Sequence, residues 1–75
     1  MFSSTTDRLE HKIKELNAIR AEYRQELEDA ERRYKKGDID KAQLERMRRR
    51  TEEHLGRINE KIRVAREKLQ ESRSR

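Results

Sequence analysis

The amino-acid sequence predicts an all-α protein: two long helices folded onto each other as an antiparallel coiled-coil hairpin. Ala, Glu, Lys, Leu and Arg make up 44 of the 75 residues, a composition typical of coiled coils and long helices. Apolar residues recur at steps of three and four, the spacing of heptad positions a and d. The chain has no proline and two glycines, and one glycine lies at its centre within a turn motif. These features together favour two helices connected by a single turn.

The first helix is expected at about 7–36, after a flexible N-terminal segment at 1–6. Asp7 with Glu10 forms a candidate capping box at its start. Arg20 occupies the one position at which the apolar repeat is skipped. The apolar repeat consists of Leu9, Ile13, Leu16, Tyr23, Leu27, Ala30 and Tyr34.

The turn is expected at 37–40. Gly37 can adopt the left-handed conformation that ends a helix, and Asp40 with Gln43 forms a capping box for the next helix. Ile39 and Leu44 have the spacing of a hydrophobic staple. A loop this short requires the two helices to lie antiparallel.

Folding about Asp38 predicts which residues face each other. Arg20 would face Gly56, which suggests that the glycine leaves room for the arginine to cross between the helices. The alternative is a glycine tolerated on the surface. The other predicted facing pairs are Glu10–Arg66, Asn17–Asn59, Arg24–Glu52 and Glu26–Arg50.

The second helix is expected at about 41–72, followed by a frayed tail at 73–75. An additional step of four around Thr51 predicts a stutter, which relaxes left-handed supercoiling locally. The apolar repeat is Leu44, Met47, Thr51, Leu55, Ile58, Ile62, Ala65 and Leu69.

Opposite charges four residues apart support both helices, with the acid preceding the base in each pair. The pairs are Glu10–Lys14, Glu28–Arg32, Asp29–Arg33, Glu31–Lys35, Glu45–Arg49, Glu53–Arg57 and Glu71–Arg75. The competing interpretation is a disordered chain, because Leu, Ile, Val and Phe total 13 of the 75 residues. A disordered chain has no reason to keep the heptad spacing.

Several classes of protein are not expected. The chain has no cysteine, hence no disulfide or thiolate metal site. No stretch approaches the ~20 apolar residues of a membrane span, and residues 1–8 carry no apolar run typical of a secretory signal. His11 and His54 lie too far apart in the hairpin for a shared metal site. We therefore expect a cytoplasmic, non-enzymatic protein with no cofactor, metal, small-molecule or membrane partner.

The sequence predicts function through helix–helix contact. A lone pair of helices buries little apolar surface, so we expect self-association as a two-fold four-helix dimer, or a helical protein partner. A monomer held by surface ion pairs is the alternative. The expected helix–helix interface comprises Leu9, Ile13, Leu16, Ile19, Tyr23, Leu27, Tyr34, Leu44, Met47, Leu55, Ile58, Ile62 and Leu69. Val64 lies at its margin.

A basic cluster at the turn end suggests a second function, nucleic-acid binding. Residues 32–50 hold nine Lys or Arg against three Asp or Glu, a net charge of +6. Such a patch can neutralise phosphates, although charge runs on long helices are often simply solvated. The candidate contacts are Arg32, Arg33, Lys35, Lys36, Arg46, Arg48, Arg49 and Arg50.

Overall fold

A computed structural model describes residues 4–74, and it confirms the all-α helical hairpin. Helix α1 spans Thr5–Lys36 (32 residues) and helix α2 spans Lys41–Arg73 (33 residues). The two helices pack against each other along their lengths. The principal extents are 54 × 21 × 13 Å, so the molecule is a single layer, one helix thick.

Helix α1 begins two residues earlier than the sequence suggested, at Thr5. Ser4 is its N-cap, and the backbone N–H of Asp7 donates to Ser4 Oγ at 3.0 Å. The prediction of Asp7 as the cap was therefore wrong. Serine is as good a cap as aspartate, and Asp7 instead places a negative charge in the first turn, where it favours the helix dipole. The remainder of the predicted flexible segment, residues 1–3, lies outside the described residues, as does Arg75 of the predicted tail.

The turn has the left-handed glycine and the capping interactions that were predicted. Gly37 has φ 82°, and its N–H donates to the carbonyl of Tyr34 at 3.0 Å. The N–H of Asp38 donates to the carbonyl of Arg33 at 2.9 Å, which completes a Schellman motif. Across the loop, Asp40 and Gln43 form a reciprocal capping box.

The register of the two helices differs from the prediction by two residues. Thr6 Oγ1 lies 2.7 Å from Ser72 Oγ, whereas folding about Asp38 would have placed Thr6 opposite Gln70. The midpoint of the four-residue loop, 37–40, lies half a residue beyond Asp38, which accounts for one residue of the difference.

Within residues 4–74, none of the predicted facing pairs of opposite charge is an ion pair, and Glu10 contacts Arg73 instead of Arg66. Asn17 and Asn59 do meet at a shared partner, since both accept hydrogen bonds from Arg20.

The heptad repeat of α2 is continuous, and the predicted stutter was wrong. Leu44 and Thr51 are buried, but Met47 between them is 36% exposed. Arg48 is half-buried and contacts Glu31 of α1 at 3.7 Å. The a/d series of α2 therefore passes through Arg48, not Met47. Both helices thus carry one arginine at an a position, Arg20 and Arg48, where polar side chains help to specify register.

The core is small. Leu16, Ile58 and Ile62 form its buried cluster, and Tyr23 packs against them. The other buried side chains are Ala30, Leu44, Thr51 and Ala65. The hairpin therefore depends on a narrow apolar stripe rather than on an extended interior.

The predicted acid-before-base pairs that fall within residues 4–74 were also wrong, while Glu71–Arg75 extends outside the described residues. Within residues 4–74, none of them is an ion pair. Arg32 contacts Asp29 three residues before it, and Arg63 contacts both Glu60 and Glu67. Long exposed side chains reach several neighbours at little energetic difference, so the four-residue spacing alone does not select the partner.

Candidate interaction surfaces

One side of the hairpin is closed by polar contacts between the helices, and we call it the polar face. The guanidinium of Arg20 donates to Asn17 Oδ1 at 2.7 Å and to Asn59 Oδ1 at 3.2 Å. Nearer the open end, Arg73 donates to Glu10 at 2.6 Å. These contacts bridge α1 and α2 beside the buried stripe. At these two places the hydrogen-bonding groups of the polar face have partners within the hairpin.

The opposite side of the hairpin is more apolar. On α1, Lys12 and Ile19 are seven residues apart and share a surface of the helix. Lys12 also lies two residues beyond Glu10, about 200° around the helix, so this surface is turned away from the polar face. Lys12 and Lys61 line the same groove, so this side of α1 adjoins the matching side of α2. We call this side the groove face.

The groove itself lies between the helices near the open end and has a volume of about 190 Å³. Its floor is apolar and its rim carries charged side chains. It is lined by Leu9, Lys12, Glu60, Lys61, Val64, Ala65 and Lys68. A shallow apolar groove of this kind can accept apolar side chains from another helix, but it offers little of the enclosed volume that a small-molecule site requires.

The groove face continues towards the turn. Met47 and His54 precede Lys61 by fourteen and seven residues, so all three lie on the same side of α2. The ring of His54 stacks on Tyr23, with centroids 4.8 Å apart and planes inclined by 7°. Ile19 is 38% exposed and Met47 is 36% exposed. Large apolar side chains thus remain accessible to water on this side of the hairpin.

The structure divides the predicted interface residues into three groups. Leu16, Leu44, Ile58 and Ile62 are buried within the hairpin. Ile19, Tyr34 and Met47 are exposed. The half-buried residues are Leu9, Ile13, Tyr23, Leu27, Leu55 and Leu69. The stripe between the helices therefore accounts for only part of the predicted set.

The sequence interpretation missed one residue of the helix contact and assigned a wrong role to one glycine. Apolarity favours Met47 for the line of contact between the helices (the seam), whereas counting back one heptad from Leu55 reaches Arg48. Gly56 was expected to make room for Arg20. A methyl group placed on Gly56 would meet nothing within 4 Å, and Arg20 points to Asn17 and Asn59 instead. The close-approach hypothesis for this glycine was therefore wrong.

The turn end carries the predicted basic cluster, but only two of its eight members form ion pairs. Arg32 contacts Asp29, and Arg48 contacts Glu31 across the helices. Within residues 4–74, the other six form no ion pair. These six exposed residues are Arg33, Lys35, Lys36, Arg46, Arg49 and Arg50. We call them, together with the equally exposed Lys41, the turn-end cluster.

The charges of the open end are arranged differently. Arg63 donates hydrogen bonds to Glu60 and Glu67, three residues before it and four after it. The hydrogen bond from Arg63 holds the pKa of Glu60 below its ordinary value of 4.5. With Arg73 also engaged by Glu10, positive charge at this end is partly neutralised, in contrast to the turn end.

The part of the chain that the structure describes offers no arrangement suited to metal-ion chemistry. His11 contacts Glu15 on its own helix at 2.9 Å, while His54 lies beyond the middle of the hairpin against Tyr23. No group of three metal-ligating side chains occurs among residues 4–74. Over the same residues, neither helix has an apolar stretch of the length needed to cross a membrane.

The chain was also compared with known proteins. No family model, no curated protein and no solved structure matches it, so the two surfaces described above are the basis for assigning a function.

Proposed function

We propose that this protein is a non-enzymatic helix–helix interaction module that pairs with a second copy of itself through the groove face. The observation that carries the proposal is the asymmetry of the hairpin. One side is closed by polar contacts, and the other exposes Ile19 and Met47 beside an apolar groove. Exposed apolar surface of this kind, rimmed by charged residues, is typical of protein–protein contacts.

The surface area of the chain supports pairing. Its accessible surface is 6235 Å², whereas a compact monomer of its mass, 9.2 kDa, is expected to expose about 4,900 Å². The excess of about 1,300 Å² exceeds the ~800 Å² that each partner buries in a standard interface. Domains are normally built from at least two packed layers, and a second hairpin would supply the missing layer.

A second copy suits this surface better than a single foreign helix. The groove face spans both helices, because Lys12 and Ile19 of α1 and Met47 and Lys61 of α2 share it. A two-helix partner covers such a face along its whole width. Pairing of hairpins into an antiparallel four-helix bundle is a common arrangement for helices with short loops, and closed two-fold dimers are the commonest oligomers.

The test is the oligomeric state of the full chain and of a charged variant, measured by sedimentation equilibrium over a wide concentration range. We expect a dimer for the wild type. The double variant Ile19→Glu, Met47→Glu should be a monomer, because four carboxylates would be buried in each dimer without partners. Both positions are exposed in the hairpin, so the far-UV circular dichroism should remain helical.

The matched control is Ala18→Glu, Ala42→Glu, which changes the charge equally at exposed positions away from the groove face. This variant should remain a dimer. A wild type that stays monomeric at every concentration would overturn self-association. A control that dissociates as readily as the Ile19, Met47 variant would mean that net charge, not the groove face, controls assembly.

A further inference from the structure

We propose that the turn end is a second binding surface, for single-stranded nucleic acid, which the cations of the turn-end cluster hold by its phosphates while Tyr34 stacks on a base. This activity goes beyond pairing of the helices and uses different residues, apart from Arg33, which is fourteen residues from Ile19 and lies on the same side of α1. It depends on two features of the same tip: cations that form no ion pair and an aromatic ring that is open to solvent.

The cations are available for phosphate. Unlike Arg63 and Arg73 at the open end, the turn-end cluster forms no ion pairs within residues 4–74. On α2, a shallow open depression is lined by Lys41, Arg46 and Arg49, together with Ala42 and Glu45. Residues 41–50 extend about 14 Å along the helix. This length allows several successive phosphates of a flexible strand to be contacted at once.

The aromatic ring is that of Tyr34, whose exposure to solvent the sequence pattern did not indicate. Its heptad position predicted a ring inside the seam, but the residue is 40% exposed. Its carbonyl accepts from the N–H of Gly37, so the Schellman motif fixes its backbone at the last turn of α1. It stands between Arg33 and Lys35 in the sequence. Aromatic side chains among cations are the usual platform for unpaired bases.

These features favour a single strand over a duplex. A base can stack on Tyr34 only when it is not already stacked and paired within a helix. The cations are divided between the end of α1 and the first ten residues of α2 at the tip of a rod, whereas a recognition helix presents all its contacts to a groove of double-stranded DNA from a single helix. Contact with the phosphodiester backbone is independent of base sequence, so little sequence preference is expected.

The test is fluorescence anisotropy with a labelled strand of about 20 nucleotides, as RNA, as DNA, and as the DNA duplex, at several salt concentrations. Both single strands should bind more tightly than the duplex. Their affinity should fall steeply with salt, because counterions are released from the phosphates. An absence of binding to either strand at low salt would overturn the proposal.

Charge variants locate the surface. The variant Lys36→Gln, Arg46→Gln, Arg49→Gln should reduce the slope of log K against log salt by about 2, since each phosphate contact contributes about 0.7 for a single strand. The matched control is Arg8→Gln, Lys14→Gln, Arg66→Gln. It removes the same three charges from exposed positions in the half of the hairpin remote from the turn and should leave the slope nearly unchanged. Equal losses in both variants would show non-specific attraction to a basic protein.

Substitution of the ring separates stacking from charge. Tyr34→Leu should weaken binding of single strands about tenfold with no change in the salt slope, and Tyr34→Phe should restore it. Inorganic polyphosphate, which has phosphates but no bases, should bind both variants and the wild type equally. A Tyr34→Leu protein that binds single strands as well as the wild type would overturn the stacking role. Light scattering on the same samples reports dimerisation separately, so failure of this inference is distinguishable from failure of the proposed pairing.

Discussion

At the scale of single residues, the two glycines make opposite contributions to the hairpin. Gly37 has φ 82°, a conformation that costs other residues about 1–2 kcal/mol. Gly56 is helical and exposed, and a methyl group there would meet nothing within 4 Å. A glycine inside a helix is less favourable than alanine by about 1 kcal/mol. The first glycine therefore stabilises the fold, whereas the second weakens it.

We predict that Gly56→Ala raises the free energy of unfolding by about 1 kcal/mol. Gly37→Ala, the same chemical change at the turn, should lower it by about 1 kcal/mol or more. Urea denaturation followed by circular dichroism measures both at one protein concentration. A destabilised Gly56→Ala protein would show that the backbones approach each other at this point more closely than the structure describes.

Arg48 shows that apolar character alone does not identify every heptad position between the two helices. Arg48 and Met47 are adjacent, and the apolar residue was assigned to the seam. Arginine can lay its methylene groups along apolar surface while its guanidinium reaches a polar partner, and Arg48 reaches Glu31. Whether Arg48 or Met47 occupies the heptad position between the helices depends on whether a carboxylate lies opposite on α1. The register of the two helices determines this. The sequence pattern of one helix does not contain that information.

At the scale of the elements, the helix ends were the most predictable features. The capping box of Asp40 and Gln43 and the left-handed Gly37 depend on a few neighbouring residues, and the structure confirms both. The register was less predictable: the turn was expected at 37–40, as observed, so the difference comes from how the side chains of the two helices pack against each other. The groove face depends on both helices at once, so the sequence indicated its apolar residues, among them Ile19 and Val64, but not that they lie on one common side of the hairpin.

The register leads to a prediction that engineered cysteines can test, since the chain contains no cysteine. Thr6 Oγ1 and Ser72 Oγ are 2.7 Å apart, so Thr6→Cys, Ser72→Cys should form a disulfide readily under mild oxidation. Closing so long a loop should stabilise the hairpin by up to about 4 kcal/mol. Thiol titration and non-reducing electrophoresis would detect the bond.

The control pair is Thr6→Cys, Gln70→Cys, which corresponds to the register expected from folding about Asp38. It should remain reduced within the monomer under the same conditions. Faster oxidation of this pair than of the Ser72 pair would place the helices two residues away from the register described here.

At the scale of the whole molecule, charge limits how two hairpins can pair. A two-fold axis parallel to the helices would place both turn ends side by side, bringing together two segments of net charge +6. An axis perpendicular to the helices places them at opposite ends of a rod 54 Å long, far beyond the Debye length of about 8–10 Å. We therefore expect the second arrangement, which also leaves each turn-end cluster open to nucleic acid.

Because the core of one hairpin is small, the stability of the fold should depend on protein concentration. In a dimer whose subunits unfold as they separate, a rise in concentration of about 100-fold stabilises the folded state by about 2.7 kcal/mol per dimer, which corresponds to an increase in Tm of about 5–10 °C for a dimer of this size. The wild type should show this dependence in circular dichroism melts. The Ile19→Glu, Met47→Glu variant should melt at a lower temperature that does not change with concentration, because its hairpin unfolds alone. A wild-type Tm that is constant over the whole range would mean that the wild type, like the variant, unfolds as a single hairpin, and this result would contradict pairing through the groove face.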